Sequence, residues 1–514
     1  MNSGNSNILK AALFATGVAG IVAEYILSTL ATYFLGDSVF QWTMIVSIML
    51  FSMGLGSRLS RYVDQHLLEK FIYIEFTLSL LASFCAIIVY YLTAFTAYTG
   101  VFIYALAIVI GILIGMEIPL VTRLNDQFEE LKINIATVLE KDYYGSLAGG
   151  IFFAFVGLPF LGLTYTPFIL GAVNFLVAAV LLWKLRGLIR PKRRKLLAFL
   201  SIGLALVLIM GTIFSGPIIL YGDQSRYRDK IIYQEQTRYQ KLVITQWRDH
   251  FWLFINGNQQ LSTYDEWLYH EPLVHPAMLL VANARDVLIL GGGDGCAARE
   301  VLKYPSVEKV TVVDLDPAMT ALGKKHPLFV ELNEDALNQT ATIIENADAF
   351  SWLDSTIQFF DVIVADLPDP KTVDLSRLYS REFYTLCRQH LRSHGVLVTQ
   401  AGSPYYAPQA FRCIDLTMQE AGFSTLPMHN QVLTLGEWGW ILGMPRDAAG
   451  DLKMRLLDRS EIQVPTRWLN AEALLLITSF GKPLQSIPDN EIEINSLIHP
   501  VLMKYYNRGE WELY

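Results

Sequence analysis

Charged residues are scarce in this chain. Only 17% of its 514 residues are Asp, Glu, Lys or Arg, against about 25% in ordinary soluble domains. The net charge is −8, so the chain has no general basic surface and we expect no nucleic-acid partner. The four cysteines lie far apart, without the spacing of metal ligands. This predicts reduced structural thiols and no metal site.

Apolar residues make up 53% of the chain and are concentrated before residue 221. A membrane-spanning helix needs about 20 mostly apolar residues. Seven stretches meet that requirement: roughly 11–34, 39–56, 71–93, 99–121, 146–163, 166–183 and 196–216. The first run is long and contains Glu24, which does not fit a cleavable signal peptide. The sequence therefore predicts a multi-pass cell-membrane protein, with an α-helical membrane bundle over 1–216 and a soluble C-terminal part.

The loops between these stretches differ in charge, and Lys and Arg in short loops predict orientation. The second, fourth and sixth loops are basic, the sixth reading "KLRGLIRPKRRK", whereas the first, third and fifth carry no Lys or Arg. We therefore expect the even-numbered loops and the N-terminus in the cytoplasm. A seventh crossing would place the C-terminal part outside, unless the last run returns without crossing.

Three carboxylates fall within or beside the apolar stretches: Glu24, Glu117 and Asp142. A charge inside a bilayer is costly, so such groups commonly mark a site or a path. For Glu24, which lies deep in its stretch, this favours a functional role. For Glu117 and Asp142 the alternative is an interfacial position with ion pairs to Arg123 and Lys141.

The C-terminal part divides into three predicted segments. Residues 217–285 contain alternating strands with "NGN" as a turn, which indicates a small antiparallel β subdomain. Over 286–445, apolar strands alternate with helical segments, which predicts a mainly parallel α/β sheet of Rossmann-like type. Residues 446–514 give no chemical signal and are interpreted as an extension packed on the surface.

The predicted strands each end at or near an aspartate. Ligands of such sheets bind at the carboxyl ends of the strands, where the sequence has Asp294, Asp314, Asp348 and Asp366. Four acids at one edge indicate a cationic ligand rather than a pyrophosphate. The second acid is placed to accept hydrogen bonds from ribose hydroxyls, and the third from an adenine amine. Together they favour an adenosyl sulfonium of the S-adenosylmethionine type.

The aspartate inside the glycine loop "GGGDG" (291–295) has a specific interpretation. Asp294 would repel the carboxylate of intact S-adenosylmethionine and accept the amine of the decarboxylated form, and so would select the decarboxylated donor. The alternative is that Asp294 caps the following helix. One side chain is able to do both.

Six spaced motifs, in order, resemble the spermidine synthase family of polyamine aminopropyltransferases. They are "YQK" (239–241), "DEWLYHE" (265–271), "GGGDG" (291–295), "DLD" (314–316), "NADAF" (346–350) and "DLPDP" (366–370). The resemblance covers about 221–445. With its helical N-terminal half, the chain resembles the membrane-fused branch of that family. The implied fold of the C-terminal part is that of a class I S-adenosylmethionine-dependent transferase.

The resemblance implies roles for individual residues. Asp366 matches the catalytic base. Positions that hold the methylthioadenosine part of the donor are matched by Gln240, Gly291, Gly293, Asp314, Asp348 and Ala349. Positions of the polyamine pocket are matched by Tyr269, His270, Asp294, Asp369 and Trp438. Two departures bear on the pocket: Asp314 is shorter than the usual Glu, and "TLGEWGW" (434–440) replaces the usual gate.

The implied activity is aminopropyl transfer from decarboxylated S-adenosylmethionine, a co-substrate, to putrescine or a related amine, without a cofactor. It would give spermidine and methylthioadenosine. Two other hypotheses stay open. One is methyl transfer from intact S-adenosylmethionine, which the charge of Asp294 disfavours. The other is a transporter or polyamine sensor with a synthase-like binding domain. The acceptor amine and the oligomeric state stay open, with a homodimer among the alternatives. Because the donor is made in the cytosol, we favour a cytoplasmic catalytic domain.

Overall fold

The computed structural model describes residues 3–36, 38–93, 95–96, 98–481 and 491–511. The chain forms two compact units, Met1–Lys230 and Ile231–Tyr514. The predicted C-terminal extension, 446–514, includes two stretches, 482–490 and 512–514, that lie outside the described residues. The finer boundaries predicted at 216, 285 and 445 stay predictions.

The first unit is helical. Its α-helices are α1 (Ser3–Leu35), α2 (Ser38–Ser60), α3 (Leu67–Thr93), α4 (Thr99–Asn125), α5 (Leu131–Phe152), α6 (Gly162–Lys184) and α7 (Pro191–Gln224). By length and composition, six helices within the described residues are able to cross a membrane, because α5 and α6 count as one stretch, Leu131–Lys184. A π-helical segment, Phe153–Leu161, joins these two helices.

That joined stretch folds back on itself. The Thr166 hydroxyl donates a 2.8 Å hydrogen bond to the Gly157 carbonyl, nine residues earlier. A straight helix would separate these residues by roughly 13 Å along its axis. Gly162, with φ +59°, adopts a left-handed conformation that favours glycine. The seven predicted apolar stretches therefore correspond to seven helical segments, of which the fifth and sixth form a hairpin.

Close helix contacts form where the sequence has small residues. A Cβ added to Gly115 of α4 would lie 2.1 Å from the Met53 carbonyl oxygen of α2. A Cβ added to Gly145 of α5 would lie 2.1 Å from the Phe14 carbonyl oxygen of α1. The side chains of any other residue would force these helix pairs apart.

The basic loops and the N-terminus lie at one end of this helical unit. Lys10 pairs with Glu129 of the fourth loop at 2.7 Å, and Arg190 of the sixth loop pairs with Glu69 at the start of α3 at 2.7 Å. Arg123 donates to the Ser60 carbonyl at 2.7 Å, which links the fourth loop to the second. The predicted grouping of the N-terminus with the even-numbered loops is therefore observed in the structure.

The end of α7 lies at the opposite end of the same unit. The Tyr33 hydroxyl, in the last turn of α1, donates to Asp223 at 3.2 Å. A Cβ added to Gly222 would lie 2.7 Å from the carbonyl oxygen of Tyr90, near the end of α3. The chain therefore leaves the helical unit at the end away from the basic loops.

The second unit begins with the small antiparallel sheet that the sequence predicts. Its strands β1 (Lys230–Gln236), β2 (Lys241–Trp247), β3 (His250–Ile255) and β4 (Asn258–Ser262) follow one another in order. The turn between β3 and β4 has positive φ at both Asn256 (+51°) and Gly257 (+80°), as tight hairpins require.

The larger sheet has seven strands in the order β10-β11-β9-β8-β5-β6-β7. They are β5 (Asp286–Gly291), β6 (Lys309–Asp314), β7 (Thr342–Asn346), β8 (Phe360–Asp366), β9 (Leu391–Gly402), β10 (Phe423–Val432) and β11 (Gly436–Pro445). The strands from β5 to β9 run parallel, whereas β10 and β11 are antiparallel, so the sheet is mixed. The parallel part matches the predicted Rossmann-like pattern.

Helices cover this sheet and continue into the extension. They are α8 (Trp267–Leu280), α9 (Cys296–Leu302), α10 (Pro317–Lys325), α11 (Pro327–Leu332), α12 (Ala349–Ser355), α13 (Val373–Ser376), α14 (Arg381–Gln389), α15 (Pro408–Glu420), α16 (Arg446–Ala449), α17 (Leu452–Asp458), α18 (Ala471–Ile477) and α19 (Leu502–Asn507). The central strands are buried on both sides, as in other parallel sheets. All four cysteines are free and buried, as expected.

Candidate active site

The candidate site lies at the carboxyl ends of β5 and β8, which are neighbours in the sheet. Gly291 is opposite Asp366 in the parallel register. Gly291 has φ +82°, and a Cβ added there would lie 2.0 Å from the Asp366 carbonyl oxygen. Only glycine therefore lets the loop after β5 pass this close to the end of β8.

The glycine loop also contacts the end of β6. The Gly293 amide donates to Asp314 Oδ2 at 3.1 Å, and the Asp316 amide donates to Asp314 Oδ1 at 2.9 Å. Burial raises the pKa of Asp314 to about 6, although both amides stabilise its charged form. Gln240 lies in the turn before β2, which is tied to this region by a 2.8 Å hydrogen bond from Thr237 to Asp316.

The third predicted acid, Asp348, has protein partners of its own. Its Oδ1 accepts hydrogen bonds from the amide and hydroxyl of Ser351, both at 3.0 Å, and so caps α12 at Ala349. Its other oxygen pairs with Arg377. Burial alone would raise the pKa of Asp348, but Ser351 and Arg377 lower it. The acid is held charged and oriented, and a ligand amine would have to share it with Arg377.

Asp366 is the acid at the centre of the site. The Tyr269 hydroxyl donates to its Oδ1 at 2.8 Å. Burial raises its pKa to about 6, and the nearby charge of Asp294 acts in the same direction. The positive charge of His270 and the hydrogen bond from Tyr269 oppose this rise. A carboxyl group with a pKa near 6 is suited to take a proton at neutral pH.

His270 provides a buried positive charge. Its Nδ1 lies 2.8 Å from Glu266 Oε2, and Arg299 also pairs with Glu266 at 2.9 Å. Burial disfavours the imidazolium, but Glu266, Asp294 and Asp366 outweigh burial and raise the pKa of His270 to about 9. The pKa of Glu266 falls to about 2, because His270 and Arg299 outweigh the effect of its burial. The ring is therefore protonated at neutral pH.

Asp294 lies two residues before the start of α9 and close to the centre of the site. Its Oδ1 accepts a 2.7 Å hydrogen bond from the Cys296 amide at the start of α9. Ligand-type atoms of His270, Asp294 and Asp366 all lie within 4.8 Å of one another. Gly295, not Asp294, occupies the N-cap position of α9, so the capping alternative is wrong in that form. The role of Asp294 in donor selection stays a prediction.

Two groups of side chains in the described part of the chain have the spacing of metal ligands. They are His270 with Asp294 and Asp366, and Glu266 with His270 and Cys296. The imidazolium of His270 has no lone pair to offer a metal at neutral pH. In the second group, the carboxylate of Glu266 is occupied by His270 and Arg299. The first group is better suited to an ammonium or sulfonium ligand.

Asp369 lies among groups that sequence reasoning missed. The Tyr506 hydroxyl donates to its Oδ2 at 2.7 Å, Gln400 Nε2 lies 3.5 Å from its Oδ1, and Lys371 Nζ lies 3.5 Å from Oδ2. Tyr506 belongs to the C-terminal extension, whose sequence carries no motif. Trp438, predicted for the polyamine pocket, is 9% exposed, and its ring centroid lies 6.3 Å from that of Trp511.

The helical unit contains the three predicted carboxylates and one more. Glu24 and Glu117 are 9% and 3% exposed, and Glu75, which the sequence analysis did not single out, is fully buried. The ion pairs expected of the interfacial alternative are not observed among the described residues, and the interfacial position itself stays a prediction. Arg123 donates to a carbonyl, and Lys141 pairs with Glu140 at 2.9 Å rather than with Glu117 or Asp142.

The carboxyl groups of Glu75 and Glu117 lie against each other and interact directly. A crevice beside Glu117 is lined by small and aliphatic residues and by Asn174. The amide oxygen of Asn174 has no hydrogen bond among the described residues. Glu75 would have been found by the same argument as Glu24, because both are single acids in apolar helices.

Comparisons with known proteins show which family the chain resembles. A spermine/spermidine synthase domain matches residues 266–452. Polyamine aminopropyltransferase 2 of Aquifex aeolicus is 41% identical over 502 residues, covering 98% of each chain. The polyamine aminopropyltransferase of Oceanobacillus iheyensis is 39% identical over 503 residues, covering 97% of this chain and 96% of the relative.

A solved structure is similar to part of the chain. It is a spermidine synthase in complex with the transition state analogue AdoDATO, at 24% sequence identity and a TM-score of 0.46. The match covers 49% of this chain and 86% of that chain.

Proposed function

This chain belongs to the polyamine aminopropyltransferase family, and we propose that it transfers the aminopropyl group of decarboxylated S-adenosylmethionine to putrescine or a related amine. The observation that carries the proposal is the convergence of Asp294, Asp366 and the protonated His270 within 4.8 Å, beside the glycine loop. Two carboxylates and one cation leave a net negative charge, which favours a positively charged ligand.

The donor occupies the ends of β5, β6 and β7. Asp314 accepts hydrogen bonds from the ribose hydroxyls, and its own conformation is fixed by the two amides at 3.1 and 2.9 Å. Asp348 and Ala349 bind the adenine, and Gln240 closes over the nucleoside from the small sheet. Gly293 leaves room for the Asp314 carboxylate that binds the ribose, because a Cβ there would lie 2.6 Å from Asp314 Oδ2.

Asp294 receives the primary amine of the donor. Its Oδ1 is occupied by the Cys296 amide at 2.7 Å, so its remaining lone pairs are available to an ammonium. The carboxylate of intact S-adenosylmethionine would be repelled at this position. This argues against methyl transfer, which needs the intact donor.

Asp366 removes the proton from the attacking amine. The nitrogen lone pair then forms a bond to the propyl carbon next to the sulfonium, the carbon–sulfur bond breaks, and methylthioadenosine leaves. The proton ends on Asp366, whose pKa of about 6 suits this step. Tyr269 and His270 hold the carboxylate in place, and positioning supplies much of the remaining rate.

The helical unit is proposed to anchor the enzyme in the cell membrane. Its helices are long and apolar enough to span a bilayer. The acids Glu24, Glu75 and Glu117, with Asp142, are proposed to bind protons, because the described residues give them no cationic partner. Buried carboxyl groups without a cation are more stable when protonated.

The second unit, Ile231–Tyr514, which we call the catalytic unit, is proposed to face the cytoplasm. Two arguments conflict here. The basic loops lie at the end of the helical unit opposite to the exit of α7, so the charge rule alone would place the catalytic unit outside. A donor with a fixed sulfonium charge does not cross a bilayer unaided. A cytosolic supply of donor therefore requires a cytoplasmic active site.

The activity is tested with the purified full-length chain, decarboxylated S-adenosylmethionine and a panel of amines, with products read by mass spectrometry. We expect an aminopropylated amine and methylthioadenosine in equal amounts. Binding of methylthioadenosine without turnover of any amine would instead support a sensor or transporter with a synthase-like domain.

A further inference from the structure

The segment of the C-terminal extension from Leu502 to Trp511 contacts the candidate acceptor site. Tyr506, in α19, is 2% exposed and donates a 2.7 Å hydrogen bond to Asp369. Asp369 follows Asp366 by three residues. Both carboxylates lie close enough to the buried Tyr379 phenol that their charges raise its pKa. Tyr506 is therefore part of the same polar group as the proposed base.

This segment is held in place by specific contacts. Asn495, which is fully buried, donates to the Ser376 carbonyl at 2.8 Å and to the Tyr379 carbonyl at 3.1 Å. Its side-chain oxygen accepts from the Leu502 amide at 3.3 Å, at the start of α19. The backbone of Gly402 fits against Tyr506, since a Cβ added to Gly402 would lie 3.3 Å from the ring.

Further aromatic rings pack beside Tyr506. The ring of Trp511 stacks on that of Tyr506 with centroids 4.6 Å apart, and its Nε1 donates to the Tyr506 carbonyl at 2.8 Å. The Trp511 ring also approaches Trp438, at 6.3 Å. These aromatic contacts thus connect the C-terminal extension to the segment 434–440, which contains Trp438 and replaces the usual gate.

A positive charge lies beside the Tyr506 ring. Lys371 Nζ lies 5.7 Å from the centroid of the Tyr506 ring and 3.5 Å from Asp369, and it donates to Asn258 at 2.7 Å. An acceptor that extended past Tyr506 would bring a further ammonium close to Lys371. The two positive charges would repel each other, so the position of Lys371 disfavours long polyamines as acceptors.

We propose that the side chains of Tyr506 and Trp511 form the end wall of the acceptor pocket, and that Tyr506 is a positioning residue for Asp369 that restricts the acceptor to short diamines. This inference rests on the proposed function. Tyr506 and Lys371 both contact Oδ2 of Asp369, at 2.7 and 3.5 Å, and so orient its Oδ1 towards the acceptor. The ring itself limits the length of the acceptor.

The test compares Tyr506→Phe and Tyr506→Ala with wild type in the full-length chain, using putrescine and spermidine as acceptors. Tyr506→Phe removes one hydrogen bond to a charged group and should raise KM for putrescine roughly tenfold, with KM for the donor unchanged. Tyr506→Ala should raise the ratio of kcat/KM for spermidine to that for putrescine by a similar factor. This ratio does not depend on the fraction of folded enzyme.

Tyr505→Phe is the matched control, because the Tyr505 hydroxyl contacts the Glu493 amide at 3.2 Å rather than Asp369. It should leave both quantities unchanged. If wild type transfers to putrescine while the Tyr506 variants keep its acceptor ratio and its KM for putrescine, the wall is refuted and the proposed function stands. If wild type transfers to no amine, the proposed function itself fails.

Discussion

Tyr269 and Asp366 are joined by a 2.8 Å hydrogen bond that occupies Oδ1 of the aspartate. Within the described residues, no hydrogen bond reaches Oδ2, which therefore remains available to a substrate. The tyrosine comes from α8 and the aspartate from the end of β8, so one contact fixes the base relative to the helix that also carries His270. This relationship is the basis of the predictions on catalysis.

Asp294 should determine which donor the enzyme accepts. In Asp294→Asn, the preference for decarboxylated over intact S-adenosylmethionine should narrow by roughly 1–3 kcal/mol, the scale of a charged hydrogen bond. Titrating both donors against each protein by calorimetry measures the change. Asp354→Asn, at an exposed position of α12, is the control. An unchanged ratio of the two affinities would refute the charge argument.

The activity should depend on pH through Asp366. Only the deprotonated carboxylate acts as a base, so kcat/KM should rise with pH through about 6, the raised pKa of Asp366. His270→Gln removes a cation that lowers this pKa, so the acidic limb should move to higher pH. His394→Gln, at an exposed position, should leave the limb in place. A limb that stays still or moves down in His270→Gln would contradict the assignment.

Much of the catalytic unit could be predicted from its sequence. Apolar strands that end at Asp314 and Asp366, or three residues before Asp294, identify the edge of the sheet, because parallel strands bring their carboxyl ends together. The glycine loop was readable for a similar reason, since Gly291 has a positive φ and no room for a side chain. Such local patterns are sufficient to locate a site that is built from the ends of neighbouring parallel strands.

Tyr506 and Lys371 could not be found in this way. Tyr506 reaches Asp369 across 137 positions of the chain, and no periodicity signals a contact of that length. The partner of Asp348 was missed for the same reason, because Arg377 lies 29 positions further along the chain, just after α13. The contact between Gly157 and Thr166 was not predicted either, because the apolar runs show only two adjacent stretches and no signature of the π-helical segment.

The acids of the helical unit should carry protons. In the intact protein, dicyclohexylcarbodiimide, which reacts with protonated carboxyl groups in apolar surroundings, should label Glu75 or Glu117. Glu129, which pairs with Lys10 at 2.7 Å, should stay unlabelled. Peptide mass spectrometry locates the adduct, and Glu75→Gln should remove the label from that position. Labelling of Glu129 in preference to both buried acids would contradict the proposal.

The catalytic unit should lie in the cytoplasm. A reporter fused after Tyr514, active only in the cytoplasm, should give a signal in cells, and a reporter active only outside should give none. A cysteine label in the basic loop at Arg186 reports the opposite end of the helical unit and should be accessible from outside. A signal from the outside reporter would reverse the assignment and favour delivery of substrate through the helical unit.

The most direct test of the account is the turnover of Asp366→Asn, measured beside its binding of decarboxylated S-adenosylmethionine. If Asp366 is the base, kcat should fall by about 10² to 10⁴, as is usual for loss of a general base, while the donor binds with its wild-type affinity. Asp374→Asn, at an exposed position eight residues further along, should retain full activity. Near-normal turnover in Asp366→Asn would contradict the mechanism.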